Sequence, residues 1–197
     1  MERGDVNSRL RAGGHRAVGA GDTRSPGSDG ALPSKSAFCE GAAMKRKRQH
    51  PAHPPPVERG NDPIIVYLTA CTPGRKRVLA AAETVELLVS SWQSATSWLV
   101  GRYVVMPDHV HLFCAPAESP FRALDQWVRY WKTLASRRWP RMEEQPIWQL
   151  DFWDTQLRDV AHYDEKWEYT RQNPVRAGLA ATPEAWPYQG ELNELRW

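Results

Sequence analysis

From about residue 63 onward the apolar positions follow two periods, and these set the expected elements. The run IIVYLTAC (Ile64 to Cys71) is rich in β-branched residues and predicts a strand. A basic turn, TPGRKR (Thr72 to Arg77), follows; Val78 to Ala95 then place Leu79, Ala82, Val85, Val89 and Trp92 at helical spacing. Trp98 to Val105 and His109 to Ala115 predict two further strands joined by the tight link Met106-Pro107-Asp108. Phe121, Leu124, Val128, Trp131 and Ala135 form one apolar helical stripe, which Pro140 ends. The segment QPIWQLDFW (Gln145 to Trp153) reads as a short strand or as irregular chain packed by its aromatics. A last helix is expected from about Val160 to Gln172, stopping before Asn173-Pro174. The order β-α-β-β-α-β-α predicts an α+β fold. It would be a ferredoxin-like sandwich, an antiparallel sheet with helices on one face, plus an added C-terminal helix that bears Tyr169.

Residues 1–60 are different material. They hold nine glycines and six prolines and show neither apolar period, so they cannot bury enough surface to offset chain entropy and are expected to be a disordered basic extension. Residues 61–180 form the expected domain, and residues 181–197 a tail that Trp186 and Tyr188 pin to it. All ten tryptophans lie between Trp92 and Trp197. The formal charge of +3 divides into +5 over residues 1–60 and −2 over the remainder, so any nucleic-acid surface on the domain must be a local patch. The run Lys45 to Arg48 reads as a phosphate clamp or as a solvated charge run, and Met44 just before it is an alternative start.

Cys39, Cys71 and Cys114 lack the paired spacing of zinc ribbons or disulfide frameworks. Cys71 and Cys114 adjoin apolar strands and are expected as buried thiols, which fits a reducing, cytoplasmic setting. No apolar leader core and no long apolar span is present, so secretion and membrane crossing are not expected.

The chemistry-bearing residues cluster in two places. In a strand, His109 and His111 point to one side while Val110 and Leu112 point to the other, so two imidazoles converge on one site. Such a pair can ligate a divalent cation if oxygen ligands join it; alone it is equally a structural or surface pair. Tyr169 and Asn173 are four residues apart and share a helical face. An Asn amide oxygen suits magnesium or manganese, and a phenol beside the cation becomes a usable nucleophile toward a phosphodiester. The alternative for Tyr169 is a half-buried helical aromatic. Tyr163, six residues earlier, is rotated away from Tyr169 and is not expected to share its role.

With those residues in place, a resemblance stands out. YVVMPDHVHLF (Tyr103 to Phe113) resembles the His-hydrophobic-His, or HUH, signature of single-tyrosine transposases. YTRQNPVRAGL (Tyr169 to Leu179) resembles the tyrosine-helix signature of the REP-associated tyrosine transposases, and PIWQLDFWD (Pro146 to Asp154) their intervening Trp-Gln segment. The match covers about residues 63–180. It implies His109, His111 and Asn173 as ligands of magnesium or manganese, and Tyr169 as the nucleophile that forms a 5′-phosphotyrosine link. It also implies a substrate of single-stranded DNA beside hairpin or palindromic elements, and action as a homodimer or a monomer. One departure is Thr155, where the family has His after the Asp of the Trp-Gln segment; it leaves open a transposase-derived DNA-binding protein with weakened catalysis. Arg122, Arg129, Lys132, Arg171 and Arg176 are candidate phosphate contacts. Trp127, Trp131 and Trp148 are expected in the core rather than stacked on bases.

Overall fold

The computed structural model describes residues 53–60 and 62–197; the expectations for Met44 and Lys45 to Arg48 lie outside the described residues. The elements are β1 (Val66–Cys71), α1 (Ala82–Ser94), β2 (Trp98–Val105), β3 (His109–Pro116), α2 (Leu124–Arg137), β4 (Trp153–Gln156), α3 (Val160–Arg171), α4 (Asn173–Arg176) and β5 (Gln189–Glu191). The fold is α+β, with one five-stranded sheet in the order β4-β1-β3-β2-β5 and every neighbouring pair antiparallel.

The alternation of the strands divides the molecule into two layers. Val66, Leu68 and Ala70 of β1 join Val110, Leu112 and Cys114 of β3 in the main core, against Leu88 and Trp92 of α1 and Trp127, Val128 and Trp131 of α2. The intervening positions, Tyr67 and Phe113, face the other way and pack with Tyr163 and Trp167 of α3. The expectation of helices on one face therefore holds for α1 and α2, while α3 covers the opposite face, because Tyr67 and Phe113 offer it apolar surface there. Trp127, Trp131 and Trp148 are buried, as expected. An aromatic side chain of this size contributes roughly 4–6 kcal/mol of gross burial free energy before entropy is charged against it. Cys71 and Cys114 are buried free thiols.

Two elements differ from the sequence reading, and a third follows one of its two alternatives. The helix expected from Val78 begins only at Ala82, because the Leu79 N–H bonds the Pro107 carbonyl at 2.9 Å, fixing the buried Leu79 in a loop instead of a first helical turn. Most of Gln145 to Trp153 is irregular chain. Its Ile147, Trp148 and Phe152 are buried, and the Gln149 N–H bonds the Cys71 carbonyl at 2.8 Å, so the strand starts at its last residue, Trp153. The tail adds a strand that no periodicity announced: β5 pairs with Arg102 to Val104, and the Trp186 indole donates to the Val105 carbonyl at 3.0 Å.

The outer edge of β4 is covered by the segment before β1. Val57 exchanges two backbone hydrogen bonds with the Gln156 side-chain amide, at 2.8 and 2.7 Å. The His53 ring stacks on Phe152 at 3.9 Å and its Nδ1 lies 2.5 Å from Asp154 Oδ1. An open strand edge is a template for unwanted pairing, and this cover removes part of it. Among the described residues no helix is long and apolar enough to cross a membrane.

Candidate active site

The site lies on the α3 face of the sheet, at the start of β3. His109 and His111 do converge: their Nε2 atoms are 3.1 Å apart. His109 Nδ1 lies 2.6 Å from Asp108 Oδ1, so this nitrogen carries the proton and donates it to the carboxylate, leaving Nε2 as a bare lone pair. His111 Nδ1 is held at 2.8 Å by both the Tyr67 hydroxyl and the Thr69 hydroxyl. Hydroxyls donate or accept, so they serve either tautomer of His111. In one, Nε2–H bonds His109. In the other, both Nε2 lone pairs are free to meet a cation. Two ligands at about 2.1 Å on adjacent corners of an octahedron lie about 3 Å apart, so the imidazole pair fits a divalent ion of magnesium or manganese size. Among the described residues no cluster of three or more His, Cys, Asp or Glu is found.

Burial keeps both rings neutral. It depresses the His109 pKa, against the pull of Asp108. The His111 pKa is pushed down to about 3, first by burial and then by His109 and the Arg75 and Arg176 guanidinium groups. The consequence for stability has a definite sign. Above pH 6.5 folded and unfolded chains both hold His111 neutral, and its contribution is fully present. As pH falls from 6.5 toward 3, the unfolded chain takes up the proton and the folded chain does not. Between pH 6.5 and 5 this should remove about 1–2 kcal/mol. Urea unfolding of the metal-free protein at pH 7 and pH 5 measures it. His111→Gln should flatten the slope, and equal stability of wild type at the two pH values would contradict a neutral buried ring.

Tyr169 stands on the outer side of α3, 57% exposed. Asp159 caps this helix, its carboxylate accepting from the His162 N–H at 2.8 Å. His162 is half-buried, and Tyr163 is buried against Phe113 at 4.8 Å, turned away from Tyr169 as its spacing implied. The helix breaks after Arg171, and Asn173 opens the separate turn α4. The break does not part the two residues. The Arg176 guanidinium lies 4.0 Å over the Tyr169 ring, donates to the Tyr169 carbonyl at 2.7 Å, and donates to Asn173 Oδ1 at 2.5 Å.

A hydrogen-bonded chain joins this cluster to the imidazoles. Thr170, the buried neighbour of Tyr169, donates to the Tyr67 hydroxyl at 3.1 Å, and that hydroxyl holds His111. Burial raises the Tyr67 pKa, so the phenol stays protonated and available to the network. Tyr67, Thr69 and Thr170 were missed in the sequence; the signal was two polar residues at alternate positions of an otherwise apolar strand. Asp108, beside the histidines, was also overlooked as an orienting group. Thr155 sits in register with Tyr67 on the same face of the sheet and is exposed, so the position where the resembling family carries His lies beside the site.

The other basic candidates lie elsewhere. Arg122 and Arg129 belong to the α2 layer, across the sheet from the imidazoles; Arg129 pairs with Asp125. Arg171 is held by Glu168 at 2.6 Å and Glu184 at 2.8 Å. Lys132 is the clearest departure: it is buried, and its ammonium donates to the Gln149 and Asp151 carbonyls, each at 3.0 Å, with its pKa lowered to about 8 by burial. It ties the irregular aromatic segment to α2, and no part of that geometry presents its charge to a phosphate. Lys132→Met should cost about 1–3 kcal/mol in urea unfolding by orphaning two carbonyls. It should leave the salt dependence of DNA binding unchanged; a shallower dependence would restore Lys132 as a phosphate contact.

The described site thus links a histidine pair on a central strand of an antiparallel α+β sheet to a helix that carries an exposed tyrosine. In sequence the chain is similar to proteins named as REP-associated tyrosine transposases. It is 28% identical over 103 residues to a Haemophilus influenzae protein named for that family, covering 47% of this chain and 58% of the relative. It is 25% identical over 89 residues to the REP-associated tyrosine transposase of Escherichia coli, covering 45% of this chain and 52% of that one. The chain thus aligns with little more than half the length of these curated relatives. A solved structure of a REP-associated tyrosine transposase bound to a REP hairpin shares the fold, with a TM-score of 0.56 at 20% identity over 68% of this chain and 80% of that chain. No protein-family model matches the chain.

Proposed function

We propose that the chain nicks and rejoins single-stranded DNA at hairpin or palindromic ends through a covalent link to Tyr169. The observation that carries this reading is the pair of Nε2 atoms 3.1 Å apart, connected through Tyr67 and Thr170 to the helix that bears Tyr169. The strand order β4-β1-β3-β2, with helices after β1 and β3, supports a ferredoxin-like frame. The Haemophilus influenzae and Escherichia coli relatives, and the hairpin bound in the solved structure, support the substrate class.

Each residue has a derivable task. His109 and His111, with Asn173 once its oxygen leaves Arg176, would hold magnesium or manganese. When bound, that cation supplies positive charge at the scissile phosphate. Asp108 fixes the His109 tautomer, and Tyr67 and Thr69 fix the His111 ring. Arg176, stacked over the Tyr169 ring, holds the tyrosine and Asn173 as one unit. The Tyr169 oxygen attacks phosphorus and gives up its proton. The phosphorus–oxygen bond to the upstream 3′ carbon's oxygen breaks, and that oxygen leaves as a hydroxyl after gaining a proton. A 5′-phosphotyrosine remains, and attack by another 3′-hydroxyl reverses the step. One phosphoester replaces another, so no nucleotide is consumed.

The test is direct: the full chain, manganese and a single-stranded oligonucleotide with a hairpin should give a DNA–protein band that survives detergent. The exposed Thr155 favours a second reading, a DNA-binding protein with weakened cleavage. In that case hairpin binding persists and no band forms with any divalent ion.

A further inference from the structure

The basic turn between β1 and α1 carries a residue that the proposed mechanism leaves unused. Among the described residues Arg75 is the one non-glycine with positive φ, at +58°, directly after Gly74, which is also left-handed at φ +58° and ψ +18°. Glycine adopts that backbone freely, whereas a long side chain does so at a cost. The turn is nonetheless built to hold it. The buried Thr72 donates its N–H to the Asp108 carbonyl at 2.9 Å, and its hydroxyl reaches the Lys76 carbonyl at 2.8 Å and the Asp108 carbonyl at 3.0 Å. The Leu79 N–H adds the bond to Pro107. The loop is therefore stapled to the two residues that precede His109.

This staple brings the Arg75 guanidinium to the rim of the imidazole pair. Its NH1 lies 3.3 Å from His109 Nδ1 and 3.5 Å from Asp108 Oδ2, with 59% of the side chain exposed. His109 Nδ1 already gives its proton to Asp108 at 2.6 Å and cannot also accept from Arg75. The carboxylate contact is long and solvated. A guanidinium has five donors in a planar fork suited to phosphate, and here they are poorly matched by protein acceptors. Backbone conformations of this kind persist where the surrounding structure over-determines them, and they cluster at functional sites.

We propose that Arg75 binds the phosphate at this site, gripping a non-bridging oxygen of the DNA backbone beside the His109–His111 pair. The proposal rests on the reading of the site as one that acts on single-stranded DNA.

Arg75→Gly separates binding from folding, because glycine suits φ +58° better than arginine does. Its melting temperature should be equal to or above that of wild type. With hairpin DNA and manganese, the rate of adduct formation should fall about 100-fold, the scale for losing one charge-stabilising donor. Binding of a short oligothymidylate, measured in a Tyr169→Phe background so that no cleavage intervenes, should show a slope of log affinity against log salt that is shallower by about 0.7. Arg75→Lys, which keeps the charge and loses the fork, should keep the salt slope and recover only part of the rate. An Arg75→Gly protein with wild-type rate and slope overturns the proposal. Should wild type form no adduct while the slope still falls in Arg75→Gly, the phosphate site stands and the nicking reading fails. Wild type without salt-sensitive binding overturns both.

Discussion

Tyr169→Phe is expected to lower the rate of DNA–protein adduct formation by about 10⁴-fold or more, the scale on which removing an enzyme's nucleophile acts. Affinity for hairpin DNA should stay within about twofold. The substitution removes one oxygen and leaves the ring, so the Arg176 guanidinium 4.0 Å above it keeps its aromatic partner and Asn173 keeps its donor. The side chain is more than half exposed, so folding stability should move by no more than about 0.5 kcal/mol. That combination, chemistry lost with binding and fold retained, separates a nucleophile from a helical aromatic. Tyr163→Phe is the control. Its ring is buried against Phe113 and faces away from Tyr169, so adduct formation should continue. Rapid adduct formation by Tyr169→Phe would mean that another group attacks.

The imidazole pair carries the second large effect. His109→Ala and His111→Ala should each reduce adduct formation by at least about 10³-fold, roughly 4 kcal/mol of transition-state stabilisation. Calorimetric titration with manganese should lose its high-affinity site in both. The two substitutions differ in what else they disturb. His109 is partly exposed and its second partner is its neighbour Asp108, so its loss should leave stability nearly intact. His111 is buried and shared by Tyr67 and Thr69, so its removal takes one partner from each hydroxyl, leaving Tyr67 its bond from Thr170, and should cost about 1–3 kcal/mol. A double variant that still cleaves in the presence of a chelator would remove the cation from the account.

Both effects concern residues whose placement the sequence exposed, and the reason is periodicity. A strand that reads His-Val-His-Leu-Phe can bury Val110 and Leu112 only by turning both imidazoles to the other face, and the structure has that arrangement. Tyr169 and Asn173, four residues apart, meet one guanidinium even though the helix breaks between them. What escaped is what periodicity does not encode. β5 is three residues of edge strand held by backbone pairing, with no alternation long enough to notice. Gln145 to Trp153 stayed open between strand and irregular chain because Ile147, Trp148 and Phe152 are buried from irregular chain, and apolar residues look alike whichever backbone delivers them. Lys132 adjoins an apolar stripe and reads in sequence as a candidate phosphate contact, yet two carbonyls of that irregular chain take its ammonium inward. Arg75 was invisible because an arginine in a left-handed turn breaks the residue preference by which such turns are recognised.

The decisive question is which atom of the chain becomes bonded to DNA. Wild-type protein incubated with a hairpin oligonucleotide and manganese, digested with protease and nuclease and mapped by tandem mass spectrometry, answers this. The expected result is a nucleotide joined through its 5′ phosphate to the peptide containing Tyr169. A modification on Tyr163, on any histidine or serine, or through a 3′ phosphate would contradict the account.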